Sequence, residues 1–360
     1  MLRGSTRFFF SKTASPAPLQ ADFPYAILAD SQERKRFCMH KGSLLTKPFI
    51  VGLIACGCCA LWGSAYPCIK LGYAMFSVDT ASVPSVILFA GMRFFLAGWL
   101  ALAIGSIAAR QLLAPRAKRT WRHIGVLSLF QTILQYFLFY IGLAHTSGVK
   151  GSIIGSAGVF AALLVAVFLF RQERMEGRKL LGCVVGFAGV VLINLGQGGL
   201  GGGFAPMGEG FLLLSTVSYA FSSVFLKRFS AEDDPVLLSG WQFVLGGAVM
   251  ILAGTALGGR VGALAPLAPL MLLYLGCISA VAYSLWGILL KYNPVSRVTV
   301  FSFMTPVFGV LLSAALLRET NTPHGAVCAA ALVLVCIGIC LVNRAGAPKD
   351  APADTITKEN

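Results

Sequence analysis

The feature that most constrains this chain is a series of ten apolar runs separated by short joints that carry most of the charge. The runs begin near Pro48, Ser85, His123, Val149, Lys179, Glu209, Val236, Ala268, Val295 and His324. Each is about 20 residues long, which is the length that a helix needs to cross a hydrocarbon core of roughly 30 Å. Only 12% of the residues are charged, against about a quarter in soluble domains. We therefore predict an all-α membrane protein with ten transmembrane helices.

Basic residues are concentrated in alternate joints. They give a net charge of +15, but they do not form one polar face, so we expect no nucleic-acid partner. The joints after spans two and four hold many of them, namely Arg110, Arg116, Lys118, Arg119 and Arg122, and Arg171, Arg174, Arg178 and Lys179. Because cytoplasmic joints carry an excess of Lys and Arg, we expect both termini in the cytoplasm. The expected location is a bacterial inner (plasma) membrane.

Three stretches lie outside the apolar runs. Residues 1–47 are polar and contain eight Lys or Arg. We expect a disordered tail there, while an organelle-targeting peptide and a start extended ahead of Met39 stay open. Residues 196–207 include "GQGGLGGG", which lacks the GK[ST] ending of a phosphate-binding loop, so this stretch is expected to be a flexible linker. Residues 345–360 are expected to be disordered.

The apolar region contains an internal repeat, residues 48–195 and residues 208–344. Matched positions include "RFFL" at 93–96 with "QFVL" at 242–245, Lys70 with Lys227, and Tyr140 with Trp286. Each half then has five helices, and an odd number makes the second half enter the membrane from the opposite side. The predicted fold is two inverted five-helix repeats.

Several motifs within these halves resemble one known family. They are "WGSAYPCIK", "MRFFLAGWLAL", "FLFYIGLAHTS" and "GVFAALLVAVFLFRQER" in the first half, with "YSLWGILLKYNP" and "FMTPVFGVLLSAALLRE" in the second. Their order over residues 48–343 is similar to the drug/metabolite transporter (DMT) superfamily, in its EamA-like branch. The resemblance implies a ten-helix carrier with a central substrate cavity, working by alternating access. The chain departs from the family pattern at Gly158, where proline is frequent, whereas Pro306 occupies the matching site in span nine.

Two prolines interrupt the hydrogen-bonding pattern of predicted helices. Pro67 removes the bond to the carbonyl of Gly63, and Pro306 removes the bond to the carbonyl of Ser302. Carbonyls freed at membrane depth need a polar partner or a cavity. Pro67 and Pro306 are therefore either packing kinks or gating positions.

Aromatic and amide residues are candidates for the cavity lining. The resemblance places helices carrying Trp62, Tyr140, Tyr219, Tyr283 and Trp286 around the cavity, and Tyr66 lies one turn from Trp62. Gln131 and Gln135 are one turn apart in mid-span, where facing lipid would be costly. The candidate substrate-binding residues are Trp62, Tyr66, Arg93, Gln131, Gln135, Tyr140, Ser218, Tyr219, Gln242, Ser279, Tyr283, Trp286 and Ser302.

Arg93 is the strongest candidate among these residues. It lies roughly 12 Å into the second span at 1.5 Å per residue, where an unpaired charge is expensive. No carboxylate occurs at comparable depth in the sequence. Arg93 therefore snorkels outward, caps carbonyls, or faces the cavity, whereas Lys70 is expected at the outer interface. Gln242 occupies the matching position in the second half.

The absence of Asp, Glu and His at mid-span separates the function classes. A hydrolase or a proton relay needs such groups, so we predict no enzyme activity. The CxxC of Cys56 and Cys59 lacks histidines to complete a zinc site, so we expect no metal and no cofactor. We predict a carrier, most simply an exporter of amino acids or similar zwitterions and anions. The alternatives are a sugar-phosphate or nucleotide-sugar exchanger and a non-transporting membrane scaffold. The protein is expected to act as a monomer or homodimer in the lipid bilayer.

Overall fold

The computed structural model describes residues 44–145, 151, 154–195, 205–262, 265–317 and 325–345. These residues are helical apart from short joints, and no strand occurs among them. Those from Thr46 onward belong to one compact unit. The all-helical prediction is confirmed for this part of the chain. Most of the predicted tails 1–47 and 345–360 and of the predicted linker 196–207 lies outside the described residues, namely 1–43, 346–360 and 196–204.

We number the helices in chain order. The first half contains α1 (Pro48–Met75), α2 (Val83–Ala109), α3 (Lys118–Leu127, Ser128–Leu134 and Gln135–Ala144), α4 (Ile154–Leu169) and α5 (Gly177–Leu195). The second half contains α6 (Pro206–Gly210 and Phe211–Phe229), α7 (Pro235–Ala256), α8 (Ala268–Tyr292), α9 (Val295–Thr299, Val300–Phe303 and Met304–Leu317) and α10 (Gly325–Ala345). Each begins within a few residues of a predicted start, except α4, whose predicted start at Val149 lies outside the described residues.

Seven of these helices are long and apolar enough to cross a membrane, namely α1, α2, α3, α6, α7, α8 and α10. The apolar α4 is shorter. The number of ten spans therefore stays a prediction. Helix starts follow local chemistry, since α7 begins with Pro235 and its carboxylate cap Asp234 accepts bonds from Val236 N at 2.8 Å and Leu237 N at 3.0 Å.

Glycines bring two helix pairs into close backbone contact. In the pair α2–α7, a Cβ added at Gly98 would lie 2.6 Å from the carbonyl oxygen of Gly240. In the pair α5–α10, a Cβ at Gly182 would lie 2.7 Å from the carbonyl oxygen of Gly338. Small residues allow such close contact between membrane helices. Each pair joins equivalent helices of the two halves.

The remaining helices form two groups of three. In group A, α1 packs against α8 and α9, and in group B, α6 packs against α3 and α4. The repeat relates α1 to α6, α3 to α8 and α4 to α9, so the same packing occurs twice. Each group combines helices from both halves of the sequence.

Successive joints between the helices lie at opposite ends of the bundle. At one end, which we call the charged end, Thr120 and His123 at the start of α3 bond to Asp233 in the α6–α7 joint, at 2.8 Å and 2.7 Å. Arg119 pairs with Glu232 nearby at 3.0 Å. At the opposite end, the α7–α8 joint meets the end of α1, where the amide of Gly262 donates to the carbonyl of Phe76 at 3.0 Å. The basic joints after α2 and α4 belong to the charged end.

Candidate functional site

Trp62 lies where group A meets the centre of the molecule. Its ring is in edge contact with Tyr283 at 5.1 Å and with Trp286 at 4.9 Å. The ring of Tyr283 in turn contacts Phe243 at 4.8 Å. Trp286 is 1% exposed, and the indole nitrogens of both tryptophans are buried with no hydrogen-bond partner among the described residues. The structure thus brings three predicted site residues of α1 and α8 into one cluster.

A tyrosine pair joins this cluster to group B. The hydroxyls of Tyr136 on α3 and Tyr283 on α8 lie 2.5 Å apart. The ring of Tyr136 also contacts Phe94 at 4.4 Å. Sequence reasoning missed Tyr136, although it directly follows the predicted site residue Gln135 and lies one turn before Tyr140.

Arg93 is buried beside these tyrosines, with only 6% of its surface exposed. Its guanidinium carbon lies 4.4 Å from the centre of the Phe94 ring, which is a cation–π contact. Its charge lies near the hydroxyls of Tyr73 and Tyr283, and its Nε has no hydrogen-bond partner among the described residues. The guanidinium therefore lies in the protein interior instead of reaching out along the surface of α2.

The two amides of α3 lie in or beside an unusual turn. Residues Ser128–Leu134 form a π-helical stretch that contains Gln131 and directly precedes Gln135. A π-helical turn is wider than an α-helical one and often occurs at functional sites. The Oε1 atoms of Gln131 and Gln135 are buried and have no hydrogen-bond partner in the described part of the chain. The middle of α3 therefore carries two buried hydrogen-bond acceptors.

Two predicted site residues have partners on neighbouring helices. Gln242 is fully buried on α7, where its Oε1 accepts a 2.8 Å bond from Thr132 on α3. Ser218 on α6 donates a 2.6 Å bond to the carbonyl of Phe130, also on α3. These contacts connect α3 to α7 and α6. Among the described residues, no hydrogen bond joins Gln242 or Ser218 to the cluster around Trp62.

Tyr219 on α6 reaches group A through Ser302 on α9, with their oxygens 3.5 Å apart. Tyr219 also explains the glycine in span four. A Cβ added at Gly158 would lie 3.3 Å from the Tyr219 ring, which is tighter than ordinary van der Waals contact. The missing proline therefore leaves room for the Tyr219 side chain.

The remaining candidates are placed as follows. Tyr140 is largely buried on α3 and lies near Tyr73 of α1. Ser279 is buried on α8, one turn before Tyr283. Pro67 lies inside α1, which continues through it. Pro306 follows the tight 3₁₀ turn Val300–Phe303. The side chain of Tyr66 lies outside the described part of the structure.

The cysteines of α1 take part in packing. The thiol of Cys58 donates to the carbonyl of Ala282 at 3.5 Å, and that of Cys59 to the carbonyl of Phe301 at 3.1 Å. Among the described residues, no group of three or more His, Cys, Asp or Glu lies close enough together to hold a metal ion. The carboxylate of Glu209 accepts a 2.7 Å bond from the amide of Ala205 near the start of α6.

Apolar helices around an interior lined by aromatic, amide and cationic side chains define a multi-pass integral membrane protein. Residues 50–195 and 206–344 each match the model of the EamA-like transporter family. The chain belongs to this family, which confirms the resemblance to the DMT superfamily. The two matched stretches also coincide closely with the two predicted repeats.

Several curated proteins are similar to this chain in sequence. The "Uncharacterized transporter YvbV" of Bacillus subtilis is 28% identical over 304 residues, covering 83% of this chain and 93% of that protein. The "WAT1-related protein At3g02690, chloroplastic" of Arabidopsis thaliana is 26% identical and covers 72% of this chain and 62% of that protein. A "Probable amino-acid metabolite efflux pump" of Salmonella typhimurium is 27% identical, covering 48% of this chain and 60% of that protein.

One solved structure is similar in fold. A chain described as "Crystal structure of protein" superimposes with a TM-score of 0.65 at 23% sequence identity. The match covers 81% of this chain and 97% of that chain. At this identity the likeness supports the fold alone.

Proposed function

We propose that this protein is a carrier that exports small organic metabolites with a carboxylate group, such as amino acids and similar zwitterions or anions, by alternating access. The observation that carries the proposal is the set of buried polar side-chain atoms that have no hydrogen-bond partner among the described residues. Buried polar groups normally have a hydrogen-bond partner, and leaving one without costs about 1–3 kcal/mol. These atoms are better explained by a transported ligand that supplies their hydrogen bonds than by a role in packing alone.

The chemistry of these atoms suggests how a zwitterion binds. Arg93 offers a guanidinium with an unpartnered Nε, and Trp62 and Trp286 offer indole N–H donors. These groups suit a carboxylate, which only accepts hydrogen bonds. The Oε1 atoms of Gln131 and Gln135 suit an ammonium group, which only donates them. The aromatic rings around Trp62 would pack against an apolar side chain.

The proposed architecture is ten membrane spans in two inverted repeats. It is supported by the match of both halves to one family model and by the reciprocal packing of groups A and B. With the charged end in the cytoplasm, the basic joints obey the charge rule for membrane topology. We place the protein in a bacterial-type plasma membrane with both termini in the cytoplasm.

Sugar phosphates and nucleotide-linked sugars form the second candidate class. Arg93 favours them because a guanidinium binds phosphate as well as carboxylate. An aromatic cluster such as Trp62, Tyr283 and Trp286 would also stack on a sugar or base.

Counterflow by purified protein in liposomes tests the function. Vesicles are loaded with one unlabelled compound, and uptake of labelled compounds is measured for a panel of amino acids, their N-acetyl and amide derivatives, and phosphorylated metabolites. We expect exchange of free amino acids and much weaker exchange of the amides, which lack the carboxylate. Exchange of phosphorylated compounds alone would favour the second class. No exchange of any compound by folded protein would favour a scaffold.

A further inference from the structure

The joint between α8 and α9 is held by two charged side chains from group B. At the end of α6, the ammonium of Lys227 donates to the carbonyl of Leu290 at 3.2 Å and to the carbonyl of Asn293. In the joint after α4, the carboxylate of Glu173 accepts bonds from the amide of Ser296, at 3.0 Å, and from its hydroxyl. Both charges therefore bind within a few residues of the same turn.

The signs of these charges match the helix ends that they contact. Lys227 binds carbonyls at the C-terminus of α8, and Glu173 binds the amide of Ser296 near the N-terminus of α9. A cation near a helix C-terminus and an anion near a helix N-terminus are each favourable interactions with the helix dipole. Two opposite charges thus stabilise one short connection.

The carboxylate of this pair of contacts is also shielded from solvent. The Glu173 side chain is 4% exposed and pairs at 3.2 Å with Lys179, which is 7% exposed. Removing one partner of a buried charge pair is costly because the other charge is left uncompensated. The sequence indicates only that Glu173 lies in a joint between two apolar runs, and its contact with α9 is visible only in the folded molecule.

The contacts of Lys227 and Glu173 join group B to group A, unlike the other polar cluster at the charged end. Lys227 and Glu173 belong to group B or its joint, whereas the α8–α9 turn belongs to group A. The other buried polar cluster at the charged end, in which Thr120 and His123 bond to Asp233, connects α3 to the joint after α6 and so stays within group B. A path from the centre to the charged end requires groups A and B to separate there.

We propose that Lys227 and Glu173 form a latch on the α8–α9 turn that closes the charged end of the carrier and must release once in every transport cycle. This inference rests on the carrier function proposed above. The alternative is a permanent brace, in which the same contacts persist throughout the cycle. The two readings differ in what happens when the contacts are cross-linked.

Cross-linking provides the first test. Glu173→Cys and Ser296→Cys are combined in a background whose native cysteines are replaced, and they are joined by a short bis-methanethiosulfonate reagent in proteoliposomes. We expect counterflow to fall at least about tenfold and to recover fully with a reductant. The matched control is Thr120→Cys with Asp233→Cys at the same end, whose cross-link stays within group B and should leave counterflow unchanged. Normal counterflow by the Glu173–Ser296 cross-linked protein would overturn the latch.

Accessibility provides a second test that does not depend on transport. Ser302→Cys reports entry to the centre, and an impermeant thiol reagent is applied from the charged end. Because a charge that complements a helix end is a favourable interaction, we expect its removal in Lys227→Gln and Glu173→Gln to speed labelling by about threefold or more. The controls are Arg228→Gln, an exposed cation next to Lys227, and Glu176→Gln, a carboxylate in the same joint as Glu173.

The outcomes separate the two proposals. Unchanged labelling in both latch variants, at normal membrane abundance, would overturn the latch whether or not a substrate has been found. A wild-type protein that moves none of the tested compounds but shows faster labelling in the latch variants would contradict the substrate proposal and support the latch.

Discussion

The two helix groups meet in different ways toward the two ends of the molecule. Toward the opposite end they meet through a tyrosine layer, which we define as Tyr73, Tyr136, Tyr140 and Tyr283, with Arg93 beside it. At the charged end they meet through Lys227 and Glu173 on helix termini. A neutral hydrogen bond contributes about 0.5–1.5 kcal/mol and one to a charged group about 1.5–3 kcal/mol. The charged end is therefore held more strongly in this conformation.

This difference suggests a division of roles. The tyrosine layer adjoins Trp62 and Arg93, whose buried donors have no hydrogen-bond partner in the described part of the chain, so a bound ligand can affect it directly. The latch has partners of its own and lies at the end of the helices. We infer that ligand binding acts first on the tyrosine layer, and that the latch determines how readily the charged end opens.

The largest expected effect concerns which end faces which side of the membrane. Cysteines at Gly199 and Gly258, in the joints after α5 and α7, should react with an impermeant thiol reagent added to intact cells. A cysteine at Ala117, before α3 at the charged end, should not react. Labelling of position 117 from outside would reverse the orientation and assign the latch to the external side.

Next in size is the effect of Arg93. Arg93→Lys and Arg93→Gln should both insert and fold, because neither adds charge at that depth. Counterflow should nevertheless fall at least about tenfold, the equivalent of roughly 1.4 kcal/mol, because both variants lose the planar fork that binds a carboxylate. The comparison variant is Lys70→Gln, which should lose much less. Near-normal counterflow by Arg93→Lys at normal abundance would show that Arg93 is only an anchor.

A smaller effect is expected in the tyrosine layer. Tyr136→Phe removes the hydroxyl that meets Tyr283 and keeps the ring on Phe94. Loss of about 1 kcal/mol from one neutral hydrogen bond should speed labelling of Ser302→Cys from the opposite end by about fivefold. Tyr274→Phe serves as the control, because its hydroxyl lies 3.3 Å from Ser64 at an exposed position. Equal labelling rates in the two variants would exclude the tyrosine layer as a barrier.

The smallest expected effect is that of a proton gradient. The carboxylates of Glu173, Glu209 and Asp233 are largely buried near the ends of helices, and none belongs to the ring cluster of Trp62. We therefore expect substrate accumulation in proteoliposomes to be the same with and without an imposed pH gradient. Accumulation that follows the gradient and collapses with a protonophore would contradict this, and Glu209 would be the first residue to replace.

Helix positions were largely predictable from the sequence, because apolar length and prolines act locally. The start of α1 at Pro48 and that of α8 at Ala268 agree with the predicted residues. The wide turn Ser128–Leu134 was not predictable, since apolar periodicity does not separate a π-helical turn from an α-helical one. It nevertheless contains Gln131 and borders Gln135.

The candidate site was predictable in part. The inward direction of Gln131 and Gln135 followed from the cost of polar groups in lipid, whereas the sequence left three positions open for the Arg93 guanidinium. The hydrogen-bond partners of Gln242 could not be predicted. Its match to Arg93 in the repeat gives its position in the fold, but not the side chains that surround it. Tyr136, Glu173 and Lys227 were missed for a similar reason. Their contacts join helices that are distant in sequence, and only the packing of groups A and B brings them together.

The mixed composition of groups A and B has a consequence for the origin of such a chain. A single five-helix half supplies one helix to group A and two to group B, or the reverse. Neither group is complete within one half, so an isolated half would expose the helix faces that the missing members cover. A five-helix precursor would have required a second copy inserted in the opposite direction. Gene duplication would then have joined two polypeptides that already folded together.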